Sequence, residues 1–181
     1  MSEGNGLMLR AATAADVPLL ETLIAASARA LGTGFYTEAE TEAAIAHVFG
    51  VDSELVADGS YLVAMVGEQI AGCGGWSQRA TLFGGDRFAG RASGVLDPAH
   101  QAAKIRAFFV APAFTRRGVA NALLTACESA AAAAGFASTE LMATLPGVPF
   151  YLANGYQSDG ETMLDLGGVP VRFVPMHKRL R

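Results

Sequence analysis

The chain has 181 residues, 51% apolar and 17% charged, with a formal net charge of −4. That length bounds one domain of ordinary size, residues 1–181, with room for a real core, and the composition excludes a disordered chain. The negative balance excludes a nucleic-acid binder that works through a broad basic surface.

In chain order, Met1–Gly6 lacks a basic stretch followed by an apolar run, so no signal peptide is read there. Residues 7–12 read as a first strand. Thr13-x-x-Asp16 resembles a capping box, and Val17, Leu20, Leu23, Ile24 and Leu31 then recur at helical spacing. Gly32 and Gly34 interrupt, and Thr37-x-x-Glu40 starts a second helix running to about Phe49. Tyr61–Val66 and Gln69–Ser77 read as a hairpin turning at Gly67-Glu68. Trp76, at the end of that hairpin, is predicted as core, with an acceptor-pocket wall as the alternative. Residues 79–103 are a long polar stretch with four glycines and no period; a loop that long in one domain is functional or mobile.

Ile105–Val110 reads as a central strand, and Arg116 to about Ala134 as an alanine-rich helix closed by Gly135. Thr139–Ala143 is another strand, a short helix carries Tyr151 and ends near Gly155, and Met163–Phe173 is a hairpin turning at Gly167-Gly168. Neither a repeat nor a linker interrupts this order, β-α-α-β-β-β-α-β-α-β-β, which predicts an α/β domain with a mixed sheet flanked by helices. The longest uncharged run, Leu141–Ser158, is broken by Pro146, Gly147, Pro149 and Gly155 and is not a membrane helix. Cys73 and Cys127 match no metal or redox spacing and are predicted to pack as small hydrophobes in a reducing compartment. Together these readings predict a soluble cytoplasmic protein.

Residues 108–124 carry the most chemistry. An apolar strand ends at Val110, a turn holds Pro112, and Arg116-Arg117-Gly118 opens the long helix. A helix start leaves backbone N–H groups unpaired and carries partial positive charge, so it suits a phosphate. Gly118 allows close approach to the backbone, and the arginines add formal charge. The segment therefore reads as a pyrophosphate cradle. Neither an NTP loop nor a dinucleotide fingerprint competes with it.

Thr115-Arg116-Arg117-Gly118-Val119-Ala120 resembles the acyl-CoA loop of the Gcn5-related N-acetyltransferase (GNAT) family, Gln/Arg-x-x-Gly-x-Gly/Ala, departing at Thr115. Pro149-Phe150-Tyr151-Leu152-Ala153-Asn154-Gly155-Tyr156 is similar to a second motif of that family, Phe/Leu-Tyr-x-x-x-Gly-Phe/Tyr. The resemblance implies a mostly antiparallel sheet that splays where its fourth and fifth strands part, with acetyl-CoA in the gap. It implies that the main chain of Phe108, Phe109 and Val110 pairs with pantetheine and offers an N–H to the thioester carbonyl. Thr115, Arg116, Arg117, Gly118, Val119, Ala120 and Asn121 would hold the pyrophosphate. Thr144 stands where many relatives carry a cofactor-contacting Asn.

Tyr151 is the implied donor to the departing thiolate. A phenol near pKa 10 facing a thiol near 8.5 makes full transfer uphill by about 2 kcal/mol, so hydrogen bonding to the developing thiolate is the expected role. Many relatives place a Glu base near the start of the fourth strand; here that position is Lys104, and Glu140 becomes the acidic candidate. The three histidines, His47, His100 and His177, read as surface or structural, with His100 in the long loop as the functional alternative. No metal is implied. The resemblance implies an amine acceptor, on a small molecule or a protein N-terminus, and its site is expected to be formed by residues 27–49 and the 79–103 loop. There Phe83, Asp86, Phe88, Arg91 and Asp97 are expected to supply apolar walls and a carboxylate for an ammonium group. Val171–Arg181 is expected to pair a homodimer through an open edge. A non-catalytic acyl-CoA-binding module is the alternative reading.

Overall fold

In the computed structural model, which describes residues 6–181, strand β1 (Leu7–Ala11) leads into a 3-10 turn, Ala14–Asp16. Asp16 stops the turn by accepting from the Thr13 N–H and from both Arg10 Nη atoms, each at 2.8 Å. Helix α1 (Val17–Gly32) follows, with Pro18 in the first turn, where its missing N–H removes no helical bond. Helix α2 (Glu38–His47) begins at the capping box that the sequence announces, Glu40 N donating to Thr37 Oγ1 at 3.1 Å.

A third helix, α3 (Ser53–Ala57), is absent from the sequence reading. It is too short to show a period and is defined by its cap: Asp52 Oδ1 accepts from Glu54 N and Leu55 N.

Strands β2 (Tyr61–Val66) and β3 (Gln69–Ser77) form the expected hairpin. Strand β4 (Ala103–Val110) is followed by helix α4 (Val119–Ala133), strand β5 (Ser138–Ala143) and helix α5 (Val148–Ala153). A two-residue strand β6 (Gln157–Ser158) and the hairpin of β7 (Thr162–Leu166) and β8 (Val169–Arg179) complete the chain. The sheet runs β1-β2-β3-β4-β5-β8-β6, with β7 also on β8. Only β4 and β5, among these neighbours, are parallel.

One sheet face packs on α1 and α2 around Leu20, Ile24, Val48, Phe49 and Phe173; the other packs on α4 around Val119, Leu123, Leu124 and Cys127. Each fully buried Leu or Phe contributes about 1.5–3 kcal/mol. Cys73 and Cys127 are buried, as expected, and burial pushes both thiols up to about 12. Trp76 is half-buried and packs edge-on to Phe136 at the margin of the core.

Two irregularities open the sheet. Strands β4 and β5 pair only at Ala103↔Thr139 and Lys104↔Glu140, and then diverge. Within β4, Ala107 has φ +55°, and Ala107 and Phe108 together stand opposite Gly74 of β3. That is a bulge, which bends and twists the strand. Gly74 is required there: a Cβ would lie 2.6 Å from the Phe108 ring. The first four residues of β4 are buried, and the last four are half-buried where the strands part.

The segment between β3 and β4 is held to the body of the domain: Arg79 pairs with Asp58 and Arg87 with Glu21, both at 2.7 Å, and Phe83 meets Phe88 and Phe173 edge-on. Strand β8, expected to pair a homodimer through an open edge over Val171–Arg181, is flanked by strands on both sides at Met176 and His177, by β5 and β6, and pairs with β7 alone over Val169–Phe173. Among the described residues, no helix is long and apolar enough to cross a membrane.

Candidate functional site

A cleft of about 890 Å³ lies where β4 and β5 part. Its first half is walled by the end of β4, the turn into α4, and α5. Phe108, Phe109 and Val110 line it, as do Thr115, Arg116, Gly118, Val119, Ala120, Asn121, Thr144 and Tyr151. The sequence-predicted set thus converges on one space, with two exceptions.

The first exception is Arg117, whose guanidinium lies over the Phe114 ring, 5.1 Å from its centroid. The second is Glu140, which lies outside the lining, its carboxylate paired with Lys104 Nζ at the closed end of the β4–β5 pair. Burial lowers the Lys104 pKa, and the ion pair offsets that burial. The position expected to hold a base is thus one half of a structural pair.

The α4 start differs from the sequence reading. The helix begins at Val119, not Arg116, because Arg116 (φ +60°) and Gly118 (φ +81°) are left-handed. For an arginine that conformation costs about 1–2 kcal/mol, and such strain concentrates at functional sites. At Gly118 a Cβ would meet nothing within 4 Å, so the space above the helix start is open to a ligand. The amides at that start have no partner within the helix. The fit to a pyrophosphate is main-chain N–H groups, a helix dipole and Arg116 around one open space.

Tyr151 is carried by α5, whose first turn accommodates Pro149. Its ring meets Phe150 at 5.0 Å, Tyr156 at 5.5 Å and Phe108 at 6.5 Å. Burial raises its pKa, so the hydroxyl stays protonated and able to donate. Helix α5 is held to α4 at two points. Asn154 Nδ2 donates to Asn121 Oδ1 at 3.1 Å, and Tyr156 Oη donates to Glu128 at 2.9 Å. The final Tyr of the second motif is therefore an anchor that fixes the helix bearing Tyr151.

The second half of the cleft is lined by α1, the α1–α2 and α2–α3 connections, and the β3–β4 segment. Leu31, Phe35, Tyr36, Phe49 and Phe83 give it apolar and aromatic walls. Tyr36 Oη donates to the Arg172 carbonyl at 2.6 Å and accepts from Leu145 N at 2.9 Å, fixing this wall to both β8 and the entry to α5. Burial pushes its pKa up to about 12. Phe83 lines the cleft as expected, but Asp86 bonds Ser53, Arg91 pairs with Asp52 and Glu54, and Asp97 pairs with His100. The carboxylate expected for an ammonium group does not reach the cleft. His47, His100 and His177 lie outside its lining.

Sequence reasoning missed Arg106 and the Ala107 bulge. A charge inside an otherwise apolar predicted strand was the available signal for Arg106. Its side chain is 1% exposed, with Nη2 2.6 Å from Asp52 Oδ2 and also donating to the Gly84 carbonyl. Nε and Nη1 are buried without a partner among the described residues. Nor, among those residues, does any His, Cys, Asp and Glu cluster offer a metal site.

Residues 38–180 match the family model of the acetyltransferase (GNAT) domain. A GCN5-related N-acetyltransferase from Rhodopseudomonas palustris has TM-score 0.72 at 20% identity, covering 96% of this chain and 95% of that one. The PaiA N-acetyltransferase of Thermoplasma acidophilum, solved with coenzyme A, has TM-score 0.63 at 16% identity, covering 96% and 99%. A ribosomal-protein-alanine N-acetyltransferase from Brucella melitensis has TM-score 0.62 at 18% identity, also covering 96% and 99%. At these identities the likeness is one of fold. No curated protein matches the sequence.

Proposed function

The chain belongs to the GNAT acetyltransferase family, and from that premise we propose that it transfers an acetyl group from acetyl-CoA to an amine by direct attack. The observation that carries this reading is convergence: the parted end of β4, the left-handed turn Arg116–Gly118 and Tyr151 all line one cleft. The coenzyme A in the Thermoplasma acidophilum relative supports the choice of donor.

In this reading, the amides opening α4 and the Arg116 guanidinium hold the pyrophosphate, with Thr144 on the facing wall. The main chain of Phe108–Val110, freed by the divergence from β5, aligns pantetheine and polarises the thioester carbonyl. Acceptor and donor occupy the cleft together. The amine lone pair attacks the carbonyl carbon, a C–N bond forms, and the C–S bond breaks. Tyr151 donates a hydrogen bond to the sulfur as negative charge develops there. Its burial, which raises its pKa, favours donation over full proton transfer.

The attacking amine enters as its free base, and its surplus proton leaves to water. This is undemanding for an α-amine: with a pKa near 8, about 10% is neutral at pH 7, whereas deprotonating a lysine near 10.4 needs roughly 4–5 kcal/mol.

The test is thiol release from acetyl-CoA across a panel of amines, with calorimetry of acetyl-CoA binding alongside. Release that requires an amine is the expected result. Tight binding with no release for any amine would return the protein to an acyl-CoA-binding module.

A further inference from the structure

The reachable side chains in the second half of the cleft are apolar. Leu31, Phe35, Leu82 and Phe83 line it, and Leu31 and Phe35 stay 39% and 47% exposed. Large apolar side chains left exposed in one cleft mark a binding surface. The hydroxyl on these walls, that of Tyr36, is already engaged both ways: it donates to the Arg172 carbonyl at 2.6 Å and accepts from Leu145 N at 2.9 Å.

Charge is missing from the same walls. Among the described residues, no Asp, Glu, His or Lys lines the cleft. The two arginines in its lining offer little to this half: Arg116 stands in the turn into α4, at the other end, and the Arg106 side chain is 1% exposed. Charges on the segments that build the walls are tied to partners outside the lining. Arg29 pairs with Glu42, Arg87 with Glu21 and Arg91 with Glu54, each at 2.7 Å. An ammonium or a carboxylate entering this half would lose water without gaining a counter-charge, whereas a methylene or a ring would gain burial.

We propose that the acceptor carries a single amine on an uncharged apolar or aromatic body, and that this body lies against Leu31, Phe35, Leu82 and Phe83. This rests on the acetyltransferase reading above. In that reading the amine must reach the thioester beside Phe108–Val110, so the second half is left to the rest of the acceptor. Apolar walls also favour the free base over the ammonium, and the free base is the form whose lone pair attacks. Polyamines, lysine-like acceptors and free amino acids each bring a second charge that finds no partner here, and are disfavoured.

The experiment measures thiol release from acetyl-CoA by the intact protein with a series of amino-acid amides, whose α-amines all lie near pKa 8. Alaninamide, 2-aminobutanamide, norvalinamide and norleucinamide add one methylene at a time. We expect kcat/KM to rise about threefold per methylene, mainly through KM. Phenylalaninamide should match norleucinamide within about threefold. Lysinamide, with an ammonium at the chain end, and norleucine, with a carboxylate in place of the amide, should each fall about tenfold or more below norleucinamide. Phe35→Ala should lower kcat/KM for norleucinamide by about fivefold and for alaninamide by less than about twofold. Phe35→Asp should bring lysinamide above norleucinamide.

A flat series, or a preference for lysinamide or norleucine, overturns this inference and leaves the acetyltransferase reading standing. A flat series together with faster release from hexanoyl-CoA than from acetyl-CoA also overturns it, by giving the apolar walls to the acyl chain. No release with any amine overturns the acetyltransferase reading, and this inference with it. The wild-type series decides the matter even if the Phe35 variants fold poorly.

Discussion

On the proposed function, the donor half of the cleft is made of main chain, whereas the acceptor half is made of side chains carried by separate segments. In the donor half, a strand edge, a left-handed turn and a helix start lie within one continuous stretch, joined by Tyr151 and Thr144. In the acceptor half, Leu31, Tyr36, Phe49, Phe83 and Arg106 come from parts of the chain that meet only when the sheet is covered. Main-chain donors recognise a pyrophosphate whatever the surrounding side chains. An acceptor is selected by shape and charge, and these change with single substitutions. The two halves should therefore fail differently.

Gly118→Val is the sharpest test of the donor half. Its side chain enters the open space above the helix start, and acetyl-CoA affinity should fall by about 100-fold in calorimetry. Because Gly118 has φ +81°, the β-branched residue also adds strain. Gly118→Asn, which tolerates that conformation, separates obstruction from strain: it should keep the melting temperature and still weaken binding.

Tyr151→Phe should lower kcat by about 10- to 100-fold while leaving acetyl-CoA affinity within about twofold, since the hydroxyl acts as the thiolate develops. Steady-state rates equal to the parent would make Tyr151 a core residue only.

Phe83→Ala tests the acceptor half. It removes an aromatic wall, and acceptor KM should rise by about tenfold with acetyl-CoA binding unchanged. A parallel loss of acetyl-CoA affinity would mean that the halves are not separable. The same variant loses packing on Phe88 and Phe173, so its melting temperature should also drop.

Smaller effects fall on the supports. Tyr36→Phe removes the hydroxyl that joins the acceptor wall to Arg172 and Leu145, and should cost about 1–2 kcal/mol in denaturant unfolding. Asp16→Asn probes the entry to α1. Arg10 and Thr13 hold the Asp16 carboxyl well below the usual range, so its contribution is present above about pH 4 and lost as pH falls through the folded pKa. Wild type should melt a few degrees above the variant at pH 7, the gap closing in acid; part of this surface pair is screened.

Most of the fold was legible because its signals are local. The capping box at Thr37, the Gly67-Glu68 turn and the Gly167-Gly168 turn each specify their element from neighbouring residues. Helix α3 was not, since its cap is one Asp and its length is below a period. The α4 start was misplaced because two left-handed residues precede it, and an arginine in that conformation cannot be anticipated from propensity.

The donor half follows the same logic as the fold. By itself the sequence determined a strand, a turn and a glycine-opened helix, because these depend on backbone geometry within a few residues. It also placed Tyr151 on a short helix behind them. What only the tertiary structure decided is where the charges go. Glu140 was a free carboxylate on paper; the β4–β5 register sets it beside Lys104, outside the cleft lining. Asp86, Arg91 and Asp97 were potential acceptor contacts; partners in another segment claimed Asp86 and Arg91, and His100, three residues on, claimed Asp97. Arg106 looked like an odd residue in a strand, and the folded chain buries it against Asp52, distant in sequence, which engages only part of its guanidinium. An ionised side chain must find a counter-charge or water within a few ångströms, and which group it finds is settled by long-range packing.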